Sequence, residues 1–535
     1  MMKSSQSPQG ERAHRADVPE LHAAIDLGAS SVRLFAGRLD RGRLDIREVC
    51  RMPNGPVHLP GGIHWDLLGA FWRMLEALGQ LSREAVGSPI SVGIDGWGVD
   101  YGLLDPEGRL LGLPYHYRDS RTTGRLQELD ALVGLERLYE ATGIQEMELN
   151  TVCQLLAERT SAAYAVASQL LMVPDLFAFW LTGEGRFERT NASTTQLIHP
   201  TSGSVLGELL QVLGLRSDLF APPINPGEHY GRVLPAVGAS GGIAGPVWVV
   251  SVASHDTASA VLGVPAEDDS FANVVNGNWS IVGLELDTPV VSQASHLAGF
   301  SNESGYGGTV QFQKNVMGHW MLQECLRCWA QEGRSASLVD LIAQAEPCTP
   351  FRCLVDTTEA AFTVPGNMPH LIRHACRRDG EPVPESDAQL VRCVLDSMAL
   401  AICQALEDGQ TCSGKFVRSV HVVGGGAANR LLLSLIAGAS GLDVVAGPTE
   451  ASAVGNVLVQ LHATRKVKGK DEMRQLVARS FPPVRVKPDR NLAQMAQRVK
   501  DRWVGQSRPR QLPAVPSKGI RGAHVVRDRA QVGRL

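Results

Sequence analysis

Twice in this chain an apolar run breaks at a glycine turn and resumes as a second apolar run. The two stretches are AAIDLGASSVRLFAG at 23–37 and ANVVNGNWSIVGLELD at 272–287. Each reads as strand, tight turn, strand. Near residue 245 the pattern restarts: PVWVVSVASHDTASAVLGV (246–264) gives strand, loop, helix. RSVHVVGGGAANRLLLSLIAG (418–438) gives strand, triple-glycine loop, helix, and LDVVAGPTEASAVGNVLVQL (442–461) adds another strand and helix. Strands and helices alternating in this way bury their apolar faces only by packing helices on sheets. The order predicts an internal duplication: two α/β halves with a cleft between them.

Local signals fill in the halves. RGRLDIREVCRM (41–52) extends the first hairpin as a third strand. A helix is expected over 65–86, with Leu68, Phe71, Trp72, Leu75 and Leu78 as its apolar stripe. A buried strand and a glycine-rich bend follow in SPISVGIDGWGVDYGLLDPEGRLL (88–111), closed by a hairpin turn at Asp105–Gly108. Residues 121–182 read as largely helical, 183–246 as loop-rich, and further helices are expected at 317–332 and 387–407. The amphipathic signal fades after Asp489. The predicted division is a disordered extension at 1–20, an N-terminal domain at 21–245, a C-terminal domain at 246–489 and a basic, disordered tail at 490–535.

Composition narrows the function classes. The chain has 535 residues, too many for one core, with 44% hydrophobic and 20% charged residues, which excludes disordered and fibrous classes. Net charge is −4, and residues 505–535 hold most of the excess basic charge, so the body is acidic. That argues against nucleic acid as a partner. No segment reads as a membrane span: the most apolar one, Ala162–Leu181, is broken by Gln169, Pro174 and Asp175. The first twenty residues carry no apolar signal stretch. Ten cysteines lack paired metal-ligand spacing, and the lone Cys325-x-x-Cys328 sits in an apolar helical pattern that favours plain burial. A cytoplasmic location is expected.

Three stretches could carry chemistry. Asp26-Leu27-Gly28-Ala29-Ser30-Ser31 delivers a carboxylate into a turn rich in N–H groups and hydroxyls. That suits a phosphate cradle beside Mg²⁺, or simply a hairpin turn. Ser254-His255-Asp256-Thr257 stands where a strand opens into a helix. Asp256 could be a general base, or an N-cap. Gly424-Gly425-Gly426 precedes a helix and could admit a nucleotide, though the dinucleotide fingerprint fails at Asn429. Gly409-x4-Gly414-Lys415 is one residue short of a phosphate-binding loop, has Phe416 where a hydroxyl is needed, and follows a helix; it is read as coincidence.

Together these pieces resemble one family. DLGASS (26–31), GIDGWGVDYGLLD (93–105), LPYHYRDSRT (113–122), VASHDTASAV (252–261), KNVMGHWMLQ (314–323) and HVVGGGAANRLL (421–432) are similar to the FGGY carbohydrate kinases, and more narrowly to the rhamnulokinases among them. PESDA (384–388) and AGPTEAS (446–452) add to the likeness, which covers about 22–480. It implies two actin-like ATPase (ribonuclease H-like) lobes, each a mixed sheet flanked by helices, with sugar and ATP in the interdomain cleft. It implies transfer of the γ-phosphate of ATP to O1 of L-rhamnulose with Mg²⁺. By matching position, Asp256 resembles the catalytic base. Gly98, His255, Asp256, Thr257 and Asn315 resemble sugar contacts. Ala29, Ser30, Ser31, Val32, Arg33, Asn278, Gln323 and Gly425 resemble ATP contacts, and Asp26 the carboxylate near Mg²⁺, reached through water.

Three positions depart from the family pattern. Val32 replaces the glycine of DLGASSGR, Gly96 replaces the threonine of GIDTWGVD, and Asn278 replaces the threonine of SGTWS. Val32 would reshape the loop if the glycine needed a positive φ. Two alternatives follow: a kinase for another ketose such as L-fuculose, motivated by Gly96, and a non-catalytic sugar- or nucleotide-binding protein, motivated by Val32 and Asn278.

Overall fold

The computed structural model describes residues 20–85, 90–277, 279–334 and 337–504. Strands are numbered here over the two large sheets. The first sheet is built from β1 (Leu21–Leu27), β2 (Ser31–Asp40), β3 (Arg43–Pro53), β4 (Ile90–Gly96), β5 (His229–Arg232) and β6 (Val247–Val250), in the order β5-β6-β4-β1-β2-β3. The second uses β7 (Phe271–Asn276), β8 (Trp279–Leu286), β9 (Ser301–Ser304), β10 (Val310–Met317), β11 (Ser419–Val423), β12 (Asp443–Ala446) and β13 (Val484–Val486), in the order β9-β10-β8-β7-β11-β12-β13.

The duplication is visible strand by strand. In each sheet the first strand pairs antiparallel with the second (β1–β2, β7–β8) and parallel with a later strand (β1–β4, β7–β11), which pairs parallel on its other side with one further on (β4–β6, β11–β12). An antiparallel edge strand finishes each side (β5, β13). Interior β1 and β4 are buried at every residue, as near-continuous apolar runs in a covered parallel sheet must be. Outer β3 alternates exposed and covered positions.

Two sequence-based boundaries move. The break expected near 245 falls one strand early. Val247–Val250 pairs with β4, more than 150 residues upstream, and belongs to the first sheet. The tail expected from 490 begins instead with a helix, Arg490–Val504, whose Leu492, Met495 and Val499 pack on the second core and whose Ala496 is buried. Residues 1–19 and 505–535 lie outside the described residues.

Smaller expectations were met unevenly. The helix at Leu67–Glu84 is capped by Asp66, which accepts from Gly69 N, but Leu68 and Trp72 face solvent while Leu67, Met74 and Leu81 are buried. The segment 121–182 contains a strand, Gln169–Met172, paired with Tyr101–Leu104. Ala162–Leu181, read as no span, is divided between two helices and the strand Gln169–Met172, and among the described residues the helix long and apolar enough to cross a membrane is Asp387–Ser413, 83% of whose apolar window is buried inside the protein. Cys325 and Cys328 are buried, and Lys415 of the decoy loop donates to Glu285 O beside the C-terminus of that same core helix.

The lobes meet across two helices, Asp256–Leu262 and Ala451–Ala463. Small residues set their approach: a Cβ on Gly455 would lie 1.8 Å from Ser259 O, and one on Gly263 2.6 Å from Ala451 O. The helix Ala451–Ala463 also seats on β1 and β4, where Gly93 leaves room for the side chains of Asn456 and Gln460.

Candidate active site

The parallel strands β1, β4 and β6 end side by side, where ligands bind in open α/β sheets. Asp26 stands opposite Asp95 in register, and Gly96 bridges to His255 just past β6, with Gly96 N donating to Ser254 O at 2.9 Å. The sheet thus gathers Asp26, Asp95 and the Ser254–Thr257 turn at one edge of the cleft.

Asp26 is buried and held on Oδ2 by Arg33 at 2.6 Å and by the Ser452 hydroxyl at 2.7 Å. Arg33 also pairs with Glu450, so one guanidinium ties the first strand to the second lobe. The turn after β1 closes by Gly28 N donating to Ser31 O at 3.1 Å. Asn54 clamps it, donating to Ser30 O and Gly28 O. Ser30 is exposed and Ala29 half-buried. Val32 is on β2 opposite Leu27, in extended conformation, with its side chain buried in the core. Val32 has no positive φ, so the condition under which it would reshape the loop is not met at this position.

Strain appears elsewhere, at Val99, whose φ of 68° is costly for a β-branched residue. Thr194 Oγ1 accepts from Val99 N at 3.0 Å, and Thr151 Oγ1 donates to Val99 O at 2.7 Å. Gly98 is needed beside it, because a Cβ there would sit 2.7 Å from Thr194 Oγ1. The next residue, Asp100, is buried and accepts from Trp65 Nε1 (2.6 Å), Trp97 Nε1 (3.0 Å) and Gln154 Nε2 (2.8 Å). Burial pushes its carboxyl up to about 6, and those donors hold it from going further.

Asp256 is the first residue of its helix, not the cap. His255 occupies the N-cap position without a side-chain cap bond. The Asp256 side chain is one-third exposed, and Thr257, buried, donates its hydroxyl to Asp256 Oδ1 at 3.2 Å. Burial raises the Asp256 pKa; the neighbouring His255 pulls it back, and Asp26 adds to the rise. His255 Nδ1 lies 2.9 Å from Glu303 Oε2 on β9 of the second lobe, and Nε2 lies 3.7 Å from Asp256 Oδ1. Burial opposes charging of this imidazole, but Glu303, then Asp256 and Glu188, carry its pKa to about 9. At neutral pH it is an imidazolium next to the carboxylate.

Beneath this turn lies Glu188, fully buried. It accepts from Thr190 N and Oγ1, Asn191 N, and Ser254 N and Oγ, at 2.6–3.1 Å. Thr190 Oγ1 in turn accepts from His255 N at 3.1 Å. Glu188 therefore fixes the backbone that presents His255 and Asp256. Sequence reasoning missed Glu188, Glu303 and Asp95. Only Asp95 left a signal, since VGIDGWG repeats the strand–Asp–Gly ending of AAIDLG.

Across the cleft, the turn after β11 is a short 3-10 segment, Gly425–Ala428, ahead of the helix Arg430–Ser440 that Asn429 caps. Gly424 has φ 81°. A Cβ there would meet Asn276 O at 2.9 Å, and one on Gly426 would meet Asn276 Cγ at 2.4 Å. Gly425 is exposed. Asn276 ends β7 as Asp26 nearly ends β1, and both its amide atoms are buried without a partner. Gln323 is exposed in the first turn of Trp320–Gln331, and Asn315 on β10 is half-buried, its Nδ2 lying 3.8 Å from Met147 Sδ of the first lobe. Asn278 lies outside the described residues.

These residues suit a magnesium nucleotide. The glycine turn leaves backbone exposed beside an orphaned amide, and Asp95 Oδ1 is a buried carboxylate oxygen without a partner next to Asp26. Among the described residues no three His, Cys, Asp or Glu side chains converge on a metal position.

Residues 21–263 match the N-terminal domain, and 272–464 the C-terminal domain, of the FGGY family of carbohydrate kinases. The chain belongs to that family. It is 38% identical over 461 residues to a rhamnulokinase of Bacteroides thetaiotaomicron, covering 86% of this chain and 94% of that one. A rhamnulokinase of Enterococcus faecalis is 37% identical over 464 residues, covering 86% and 93%. Among solved structures, ligand-bound xylulose kinase of Lactobacillus acidophilus superposes with a TM-score of 0.74 at 13% identity, covering 91% of this chain and 97% of that one. Plasmodium falciparum glycerol kinase with ADP gives 0.73 at 14%, covering 91% and 98%. This carbohydrate kinase thus has the two-lobe actin-like architecture, and the matched domains divide between residues 263 and 272, after β6 and its helix.

Proposed function

We propose that this kinase transfers the γ-phosphoryl group of ATP to O1 of L-rhamnulose, giving L-rhamnulose 1-phosphate, with Asp256 as general base. The observation that carries the reading is Asp256 itself: a partly exposed carboxylate beside a charged His255, on a turn braced by Glu188. Rhamnulokinases at 37–39% identity support the substrate.

A sugar hydroxyl is a poor nucleophile at neutral pH. In this reading the sugar hydroxyl gives its proton to Asp256 as its oxygen takes the phosphoryl group, and ADP leaves with the bridging oxygen. Such a base is worth about 10²–10⁴-fold. Burial raises its basicity, while the His255 imidazolium keeps it ionised. Gly98, His255, Thr257 and Asn315 would orient the sugar. The turn from Ala29 to Arg33, with Gln323 and Gly425, would hold the nucleotide, Val32 through its backbone alone. Asp26 would hold Mg²⁺ through water, and the bound ion would neutralise charge on the transferring phosphate. The reaction would run in the cytoplasm, in keeping with ten free cysteines.

Gly96 favours a second reading for the sugar. A Cβ at that position would sit 2.7 Å from Leu27 Cβ and 3.0 Å from Leu27 O, so the family's threonine would not fit this loop without a shift. Another ketose, such as L-fuculose, is the alternative substrate. The test is Mg-ATP-dependent ADP release with L-rhamnulose, L-fuculose, L-ribulose and D-xylulose, with Asp256→Asn alongside. Turnover greatest with L-rhamnulose, and lowered at least about 10²-fold in the variant, is expected. A larger kcat/KM with another ketose would overturn the substrate, and an unimpaired variant would overturn the base.

A further inference from the structure

At the base of the first lobe, near the N-terminal ends of β1 and β4, lies a cavity of about 470 Å³. Ile90, Val250, Ala463 and the partly exposed Trp248 give it an apolar body, with His22 and His229 among its polar groups. That volume is within the range of small-molecule sites. His22 is 1% exposed, and its Nε2 is buried with no hydrogen-bond partner.

The other ring nitrogen starts a chain. His22 Nδ1 meets Ser91 Oγ at 2.8 Å, and Ser91 Oγ donates to Gln460 Oε1 at 2.6 Å. Gln460 Nε2 donates to Asn456 Oδ1 at 2.7 Å and to Ala23 O at 2.9 Å. Asn456 Nδ2 donates to Asp95 Oδ2 at 2.6 Å. All five side chains are at most 6% exposed. Each link has one direction. Ser91 spends its proton on Gln460, so it accepts from His22 Nδ1–H, and His22 Nε2 is a bare lone pair. Burial, with Lys466 nearby, holds this imidazole neutral, its pKa lowered to about 4. Glu20 at the rim adds a second unpartnered acceptor, Oε2. The cavity offers acceptors and apolar walls, so its complement is an apolar molecule with a donor.

We propose that this cavity binds a compact, mostly apolar molecule carrying a neutral N–H or O–H donor, and that its occupancy reaches the catalytic carboxylates through His22, Ser91, Gln460, Asn456 and Asp95. The donor satisfies His22 Nε2. Hydrogen bonds in a chain polarise one another, and the far end of this one holds Asp95 beside Asp26. Asn456 and Gln460 belong to the helix at the lobe interface, so the chain also spans the element on which the lobes meet.

The probe is indole, with 1-methylindole as a control of nearly the same shape lacking the donor. Binding is read by ligand-observed NMR and calorimetry. Indole is expected to bind at least about tenfold more tightly than 1-methylindole, since the control leaves a buried acceptor unpaired. In His22→Leu that preference should shrink to within about twofold. Transmission is read as ADP affinity, which requires neither turnover nor the correct sugar. Saturating indole should change it about fivefold in the wild type and leave it unchanged in Gln460→Met, which cuts the chain beyond Ser91. Asn456→Ser serves as a second cut should Gln460→Met not fold. Equal binding of the two indoles, or none up to their solubility, would overturn the site. Indole binding without a shift in ADP affinity would overturn the transmission.

Discussion

Replacing Glu303 by Gln separates the electrostatics of this site from its shape. The amide keeps the volume of the carboxylate and removes the strongest partner of His255, which it approaches at 2.9 Å from the opposite lobe. The His255 pKa of about 9 stands against an unfolded value near 6.5. The difference, at about 1.4 kcal/mol per unit, is worth about 3 kcal/mol. The sign follows from the direction of the shift. A raised histidine contributes its full stabilisation below about pH 6.5 and loses it as pH rises through about 9. The variant should therefore be less stable than the wild type by about 1–3 kcal/mol at pH 6, and the two should converge by pH 10. For a lobe of this size that is roughly 2–4 °C in Tm for each kcal/mol.

The same substitution acts on Asp256. A neutral His255 no longer pulls that carboxyl down, so the acid limb of the kcat/KM profile should move to higher pH in Glu303→Gln. The assays are thermal unfolding from pH 6 to 10, the His255 C2–H titration by NMR, and the pH–rate profile. A wild-type His255 that titrates near 6.5 would refute the reasoning. So would a stability gap between the proteins that is independent of pH.

Two further substitutions test other parts of the machinery. Gly426→Ala should raise the KM for ATP at least about tenfold while leaving sugar binding intact, because its Cβ would press Asn276 Cγ at 2.4 Å; steady-state kinetics in both substrates reads the split. Ending the chain after Asp489 should lower stability by about 3 kcal/mol, the worth of one or two apolar side chains withdrawn from the second core, measured by denaturant unfolding. The segment removed includes the helix that places Leu492 against Gly438.

Much of the architecture was legible because its signals are local. β1, β2 and β3 follow from apolar runs parted by glycine, and the hairpin at Asp105–Gly108 from its turn residues. What escaped depends on partners far away in sequence. Nothing local in PVWVV says which sheet it joins; that is settled by pairing with Ile90–Gly93. The helix at Leu67–Glu84 was legible, yet its apolar stripe is wider than its contact, so Leu68 and Trp72 stayed outside. Residues 490–504 do carry a helical stripe, Leu492, Met495, Ala496 and Val499, but it is narrow and set among charged and polar residues, so the amphipathic signal reads as fading after Asp489 when it does not.

The site divides in the same way. Asp26 and Asp256 announce themselves by ending apolar strands or opening a helix. Glu188 and Glu303 carry no such mark, because their roles exist only through Ser254 and His255, 66 and 48 residues away along the chain. Asp95 lies between these cases. It is the next-to-last residue of β4 as Asp26 is of β1, and parallel pairing of two strands forces equivalent residues into register. Two apolar strands that each carry Asp one residue before their end, once paired in parallel, bring two carboxylates together. That juxtaposition is costly without a cation or a proton. Asn456 and Arg33, both reaching into the cleft end of the sheet, are what the fold supplies in part compensation.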